Sequence, residues 1–349
     1  MKSVARFRCV SKLWASIISL PYLTELFTTR ASAHPQLLFV YKEKKKLVFL
    51  SSPQPQNLDK NSSPVAVKHL SRIPFRGSSC YVSGHVQGLV CLRGKPGRII
   101  CNPSTGQALT LPKIKMMRRS FSTKASNMLG YDPINNQFKV LSIRRYYPFD
   151  QNQVLTLGTG ELKWRTIKCS TTLDVFQQGI CINGVLYYPV STPVRDMIGC
   201  FHVRSETFSF IKVERTSRGA VFYGTLINYN GKLGSLISGG GYRSRFIDRA
   251  SRSINLLVIG NFEKQEWSKH EYVLPPTWEN VVGRAELRLV GVVGTNEVVL
   301  SHPSQVIYYN IETQGVVKVA IQGMEASSEC KFATFINHME DLKLTQAFK

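Results

Sequence analysis

The sequence predicts a mainly β protein, a six-bladed kelch-like β-propeller preceded by a short α-helical head. Three observations carry this. Apolar spacing of three and four residues is confined to the first thirty or so positions. From Pro35 onward, short β-rich runs alternate with Gly and Asn turn residues. Those runs group into similar units that recur roughly every 50 residues, the range of kelch-like blades.

In the head, Val4, Phe7, Val10, Leu13, Trp14, Ile17 and Ile18 fall on one helical stripe, with Arg6, Arg8, Ser11 and Lys12 on the opposite side. Pro21 ends that helix and suits the first turn of a second one, which Leu23, Leu26 and Phe27 make amphipathic. Two such helices cannot form a domain alone and must pack on the body or on a partner. The head is also basic and rich in serine, as a mitochondrial presequence is; its continuation into a second helix favours a structural role. The boundaries expected are 1–32 for the head and 35–345 for the β domain.

The body divides as follows. One unit pairs the run at Leu89, Val90, Cys91 and Leu92 with that at Arg98, Ile99, Ile100 and Cys101. A second runs from Leu129 through Phe138 and Val154 to Trp164, and a third from Ile182 through Tyr188 and Phe201 to Phe210. A fourth joins Ile227 and Leu233 to Leu257 and Trp267, and a fifth joins Val298, Ile307 and Val317. Leu37 to Leu50, with Val65 to Ile73, supplies a sixth. One such sheet cannot bury both faces, so stacking around an axis is the natural solution, with a pair of packed sheets as the alternative. The run at Phe332, Ala333, Thr334, Phe335 and Ile336 is placed to add a strand that closes the ring. Asn183-Gly184 and Asn230-Gly231 are hairpin turns.

Composition limits function. The chain has 349 residues, 43% of them hydrophobic, and mean hydropathy is −0.10, a globular composition. No apolar run approaches the ~18 residues of a membrane helix, and no membrane association is expected. Forty-five Lys and Arg against 22 Asp and Glu give a net charge of +23. That excess favours an acidic partner. Basic residues cluster at Lys42 to Lys46, Lys113 to Arg119, Arg144-Arg145 and Arg243 to Arg252. Without an RNA-recognition, zinc-finger or basic-zipper motif, the acidic partner expected is a protein rather than a nucleic acid.

No catalytic, metal or cofactor-binding residues are expected. The eight cysteines (Cys9, Cys80, Cys91, Cys101, Cys169, Cys181, Cys200 and Cys330) lack zinc-knuckle spacing. Most sit in apolar runs as reduced core thiols do, which points to the cytoplasm or nucleus. The glycine-rich Gly158-Thr159-Gly160 and Gly239-Gly240-Gly241 lack the Lys-Ser/Thr of a phosphate loop and read as loop or turn glycines. No G-x-S-x-G elbow or HExxH helix is present, and His270-Glu271 reads as a surface pair. A propeller glycosidase would need paired carboxylates, for which no motif is seen. The Arg- and Tyr-rich segments Arg144, Arg145, Tyr146, Tyr147 and Tyr242, Arg243 are the candidates for binding a target, since Arg and Tyr are favoured hot-spot residues. Trp164 and Trp267 end comparable units and read as packing between blades.

Lys2-Ser3-Val4-Ala5-Arg6-Phe7-Arg8-Cys9-Val10-Ser11-Lys12-Leu13-Trp14, with Ile17-Ile18 and Leu23-Thr24-Glu25-Leu26-Phe27, resembles the second half of a plant F-box. Cys101-Asn102-Pro103-Ser104-Thr105-Gly106, Leu129-Gly130-Tyr131-Asp132-Pro133 and Asn183-Gly184-Val185-Leu186-Tyr187-Tyr188 resemble the F-box-associated domain of type 3, as do Trp267-Ser268-Lys269-His270 and Gly294-Thr295-Asn296-Glu297. The resemblance covers nearly the whole chain. It implies a substrate-recognition subunit of an SCF-type cullin ubiquitin ligase, non-catalytic itself. Its F-box helices would bind the Skp-type adaptor and its β domain an unknown target protein. It also implies that Val4, Phe7, Val10, Leu13, Trp14 and Ile17 contact the adaptor or pack the F-box. A full F-box begins with a Leu-Pro-containing helix upstream of the segment matched here, so the resemblance is to a partial F-box. The alternative is a stand-alone β-propeller interaction module carrying a non-functional F-box remnant.

Overall fold

A computed structural model describes residues 34–55, 65–95, 98–114, 125–144, 151–169, 174–175, 179–192, 195–213, 218–240, 244–261, 264–322 and 332–340. The head that the sequence predicts, 1–32, lies outside the described residues.

The β runs fold into six sheets, each a propeller blade. The first blade holds β1 (Gln36–Glu43), β2 (Lys46–Pro53) and β4 (Lys68–Pro74); the two-residue β3 (Val65–Ala66) precedes β4. The second is β5 (Arg76–Val86), β6 (Leu89–Lys95), β7 (Arg98–Cys101) and β8 (Ala108–Thr110). The third is β9 (Ala125–Asp132), β10 (Gln137–Arg144), β11 (Gln151–Thr156) and β12 (Arg165–Ile167). The fourth is β13 (Asp174–Val175) and β14 (Ile180–Ile182), both on β15 (Val185–Ser191), then β16 (Asp196–His202) and β17 (Thr207–Lys212). After α1 (Arg218–Tyr223) comes the fifth, with β18 (Thr225–Tyr229), β19 (Lys232–Gly239), β21 (Ser253–Asn261) and β22 (Glu266–Val273). After α2 (Trp278–Val282) comes the sixth, with β23 (Leu287–Val293), β24 (Glu297–His302), β25 (Gln305–Asn310) and β26 (Val316–Gln322).

The ring closes through β27 (Phe332–His338), which pairs antiparallel with β1 and becomes the inner strand of the first blade. The run at Phe332 therefore closes the ring, as its sequence predicts. Inner strands β5, β9, β14, β18, β23 and β27 neighbour one another in a complete cycle, which a pair of packed sheets could not produce.

Alternation of side chains along each strand explains the packing. In the first blade Leu38, Val40, Leu47 and Phe49 face the second blade, while Leu37, Phe39, Tyr41, Val48 and Leu50 face the sixth. Both faces are buried, so the strands read as almost unbroken apolar runs. Six apolar clusters result, one in each gap between neighbouring blades. Each large aliphatic side chain buried there contributes about 2 kcal/mol relative to exposure. Trp164 and Trp267 pack against two of these clusters, as expected from their places in the repeat.

The Asn183-Gly184 and Asn230-Gly231 turns have φ of 48° and 81°, and 49° and 80°. Positive φ at both positions is the type I′ geometry that Asn-Gly favours. Of the glycine trio, Gly240 lies in a bend with φ 82° as expected and Gly241 lies outside the described residues, but Gly239 departs from expectation. Gly239 is the last residue of β19, where a Cβ would collide with Ser253 across the sheet, so it is a strand glycine rather than a loop glycine. Two pairings also escape the sequence pattern. The short β3 runs parallel to β26 and caps the outer edge of the sixth blade, and β20 (Phe246–Ile247) leaves the fifth blade to pair with β23.

Polar side chains bridge the seams between blades. Between the third and fourth blades, Arg165 donates through its two terminal nitrogens to Glu206 at 3.1 and 2.7 Å, and the buried Lys139 lies 2.8 Å from the same carboxylate. Burial pushes the Glu206 carboxyl up, but hydrogen bonds from Arg165 and Lys139 outweigh it and hold the group below its ordinary value. At the closure, His85 of β5 and His338 of β27 are joined by a 3.0 Å hydrogen bond between Nε2 and Nδ1. Beside them, Gln54 donates to Asn337 Oδ1 at 2.9 Å and accepts from the Asn337 N–H at 2.9 Å.

Burial lowers the His85 imidazole to about 4. Burial, and then the charge of His85, hold His338 well below its ordinary value. An unfolded histidine takes its proton near pH 6.5, but this pair resists protonation while folded. Its contribution is complete above pH ~6.5 and is lost as the pH falls from there toward about 4. Thermal melting at pH 7.5 and pH 5 tests this. The protein should lose more Tm on acidification than its His85→Gln variant; equal losses would show that the pair does not couple closure to protons.

Candidate protein-interaction face

Strand direction fixes where the loops emerge. Within a blade, turns joining first to second and third to fourth strands lie at one end. Turns joining second to third, and the links between blades, lie at the other. The first end carries tight turns at Gln87-Gly88, Asn183-Gly184 and Asn230-Gly231, together with the longer connections 54–67 and 157–164. Gln36 of β1 lies opposite His338 of β27 at this end, so both ends of the propeller meet the rest of the chain there. The opposite end carries 111–124, 168–179, 213–224, 240–252 and 274–286. This long-loop face is the candidate site.

Its described part centres on the fifth and sixth blades. The loop between β19 and β21 folds back so that β20 pairs Phe246 with Arg288 and Ile247 with Leu287. Arg245 Nε donates to the Tyr223 carbonyl at 3.1 Å, and the Arg245 carbonyl accepts from the Leu289 N–H at 3.0 Å. Asp248 shapes the following turn by accepting from the Ala250 N–H at 2.9 Å and from Ser251 Oγ at 3.1 Å. Across the blade, α2 is anchored by Trp278, which is 2% exposed and meets the Tyr309 ring edge-on at 5.7 Å. Arg252 reaches Glu279 of α2 at 3.4 Å. Tyr223 and Val273 stand 60% and 65% exposed at this end, which with Ile134 makes them the exposed large apolar side chains among the described residues. The described face therefore presents the exposed side chains of Tyr223, Arg249, Arg252 and Arg284 above a buried base.

A family model described as the F-box associated beta propeller domain matches residues 36–339. The chain belongs to that family. Among relatives, F-box protein At5g65850 of Arabidopsis thaliana is 48% identical over 98% of this chain and 86% of its own length. F-box protein DOR of the same plant is 45% identical over 99% of this chain and 90% of its own. The six-bladed ring found here is thus the F-box-associated propeller that the motifs resemble.

Of the residues singled out by sequence, the head positions Val4, Phe7, Val10, Leu13, Trp14 and Ile17 lie outside the described residues. So do Arg145, Tyr146, Tyr147, Tyr242 and Arg243. Arg144 is the last residue of β10, opposite Ala125 and Gln151, at the end where the long loops emerge. His270 and Glu271 are exposed on the edge strand β22, as their surface reading requires, with Glu271 accepting from Ser253 Oγ at 2.8 Å. The sequence reading passes over Tyr223 and Arg284 and does not separate Arg249 and Arg252 from the general basic run. Charge alone cannot show which members of that run share a face with α2. Among the described residues no group of three or more His, Cys, Asp or Glu is placed to hold a metal.

The F-box-associated propeller should tolerate change at its rim but not at its anchors. Trp278→Ala should cost about 3–5 kcal/mol, as removal of a buried aromatic does. Arg252→Ala should change stability by no more than about 0.5 kcal/mol, because its partner pair is exposed. Chemical denaturation of both variants checks this; a large loss for Arg252→Ala would mean that the rim holds the blade together.

Proposed function

We propose that this protein is the target-recognition subunit of an SCF-type ubiquitin ligase. The residues of the head bind a Skp-type adaptor and through it a cullin, and the propeller holds the protein to be ubiquitinated. The carrying observation is that relatives named F-box proteins align over 98–99% of the chain, a share that reaches into the head as well as the propeller. The apolar stripe of Val4, Phe7, Val10, Leu13, Trp14 and Ile17 has the spacing of a helix that docks in a groove. The ring supports the division of labour. The chain enters it at Gln36 on the tight-turn face, so the long-loop face is presented on the opposite side.

In this reading the protein is non-catalytic. It raises the local concentration of a target near the transfer machinery, and the chemistry belongs to other subunits. The setting is the cytoplasm or nucleus, where such ligases and reduced thiols occur. Among the described residues, Cys91, Cys101, Cys169, Cys181 and Cys200 form no disulfide.

Affinity purification of the tagged full-length chain from plant cells tests the proposal. Adaptor and cullin should co-purify, and a Leu13→Asp, Trp14→Asp double variant should lose both by tenfold or more while the propeller melts unchanged. A folded chain that retains neither subunit, beside a known F-box protein that retains both, would leave a stand-alone interaction module instead.

A further inference from the structure

The long-loop face of the fifth and sixth blades has a charge arrangement that the ligase role does not itself require. Every basic residue in the described loop segments 244–252 and 274–286 is an arginine: Arg245, Arg249, Arg252 and Arg284. Arg288 follows on β23, directly opposite Phe246. Arg245, Arg252 and Arg288 are tied into this surface, and Arg249 and Arg284 lie on the segments they anchor. Arg245 is tied to Tyr223 by its side chain and to Leu289 by its backbone. Arg252 spans to α2, whose last turn leads into Arg284.

The neighbouring acids are Asp248, Glu279 and Glu286, and Glu286, exposed two residues after Arg284, has an interaction of its own. Asp248 is turned inward on the Ala250 N–H and Ser251 Oγ. Among the described residues Glu279 pairs with Arg252 alone, and both side chains are well exposed, at 60% and 71%. Such a pair exchanges readily for a better anion. Among the described residues Arg249 and Arg284 are exposed and have no acidic partner. Guanidinium groups bind carboxylates in a two-pronged fashion that ammonium groups cannot match, and the exposed Tyr223 ring adds a flat apolar contact.

From this arrangement we infer that the face between the fifth and sixth blades docks an acidic peptide segment of the target, with Arg249, Arg252 and Arg284 as its anchors. This rests on the target-recognition reading and specifies the target's chemistry. The net charge of +23 speeds encounter with any anion, whereas the stitched arginines confine tight binding to one place.

The test compares two full-length variants of equal charge change. Arg249→Glu, Arg284→Glu alters the long-loop face. Lys163→Glu, Lys232→Glu alters exposed lysines at the tight-turn end. Binding of a fluorescent peptide of alternating Glu and Ser is followed by anisotropy at 0.15 M salt, after melting curves confirm folding. The arginine double variant should weaken binding tenfold or more and the lysine double variant less than threefold. The gentler Arg249→Gln, Arg284→Gln should show the same direction. Equal weakening by both doubles, or no binding by the parent chain, overturns the inference. So does a single-stranded oligonucleotide of equal charge that binds tighter and displaces the peptide. Adaptor capture is measured on the same variants. Its absence with intact peptide binding counts against the ligase role and leaves the acidic-peptide site standing; the reverse pattern counts against the site alone.

Discussion

Everything in this propeller depends on one pairing, that of β27 with β1. A blade is greasy on both faces and cannot stand alone, so each needs two neighbours. Five blades follow one another along the chain, and the first would lack an inner strand if the C-terminal run did not return to it. The return places Phe335 and Ala333 against the cluster shared with the second blade, and Phe332 and Ile336 against the one shared with the sixth. One strand thus completes two of the six gaps. Long-range pairing of this kind requires the closure of nearly the whole chain as a loop. The His85–His338 and Gln54–Asn337 bonds sit at the place where that loop is sealed.

A sealed ring gives the loops a fixed base. The end where the propeller meets the rest of the chain carries most of the tight turns and two longer connections, and five longer connections lie at the other end. The two short helices belong to that longer-loop end. α2 is held by a buried tryptophan, and α1 by Ser235 Oγ donating to the Ala220 carbonyl at 2.6 Å. Rigid support matters for recognition because side chains that are already placed lose less entropy on binding. The proposed role, holding one protein beside another, calls for a placed surface rather than a large one.

Much of the fold was legible in the sequence for a physical reason. Strands buried on both faces leave nearly continuous apolar runs, and hairpins of type I′ need positive φ, so they expose themselves as Asn-Gly. The closing strand was visible as an apolar run after the last repeat. Less visible were elements whose partners come from another blade. Val65-Ala66 has no local sign that it pairs parallel with β26, and Phe246-Ile247 looks like part of a loop until β23 is beside it. The helices α1 and α2 span six and five residues, too short to display a 3.6-residue period. The candidate face was only half legible. Arg- and Tyr-rich segments stood out by composition, but the grouping of Arg252, Glu279 and Arg284 depends on a fold that brings 252 and 284 onto one rim.

Amide hydrogen exchange on the full-length chain tests the closure most directly, because it reads each strand separately. If β27 seals a single cooperative ring, the amides of β27 and β1 should exchange only through the same slow opening that governs β10, β15 and β24. Exchange of β27 that is faster by orders of magnitude, with the third to fifth blades still protected, would show that the ring stands without its closing strand and would contradict the account.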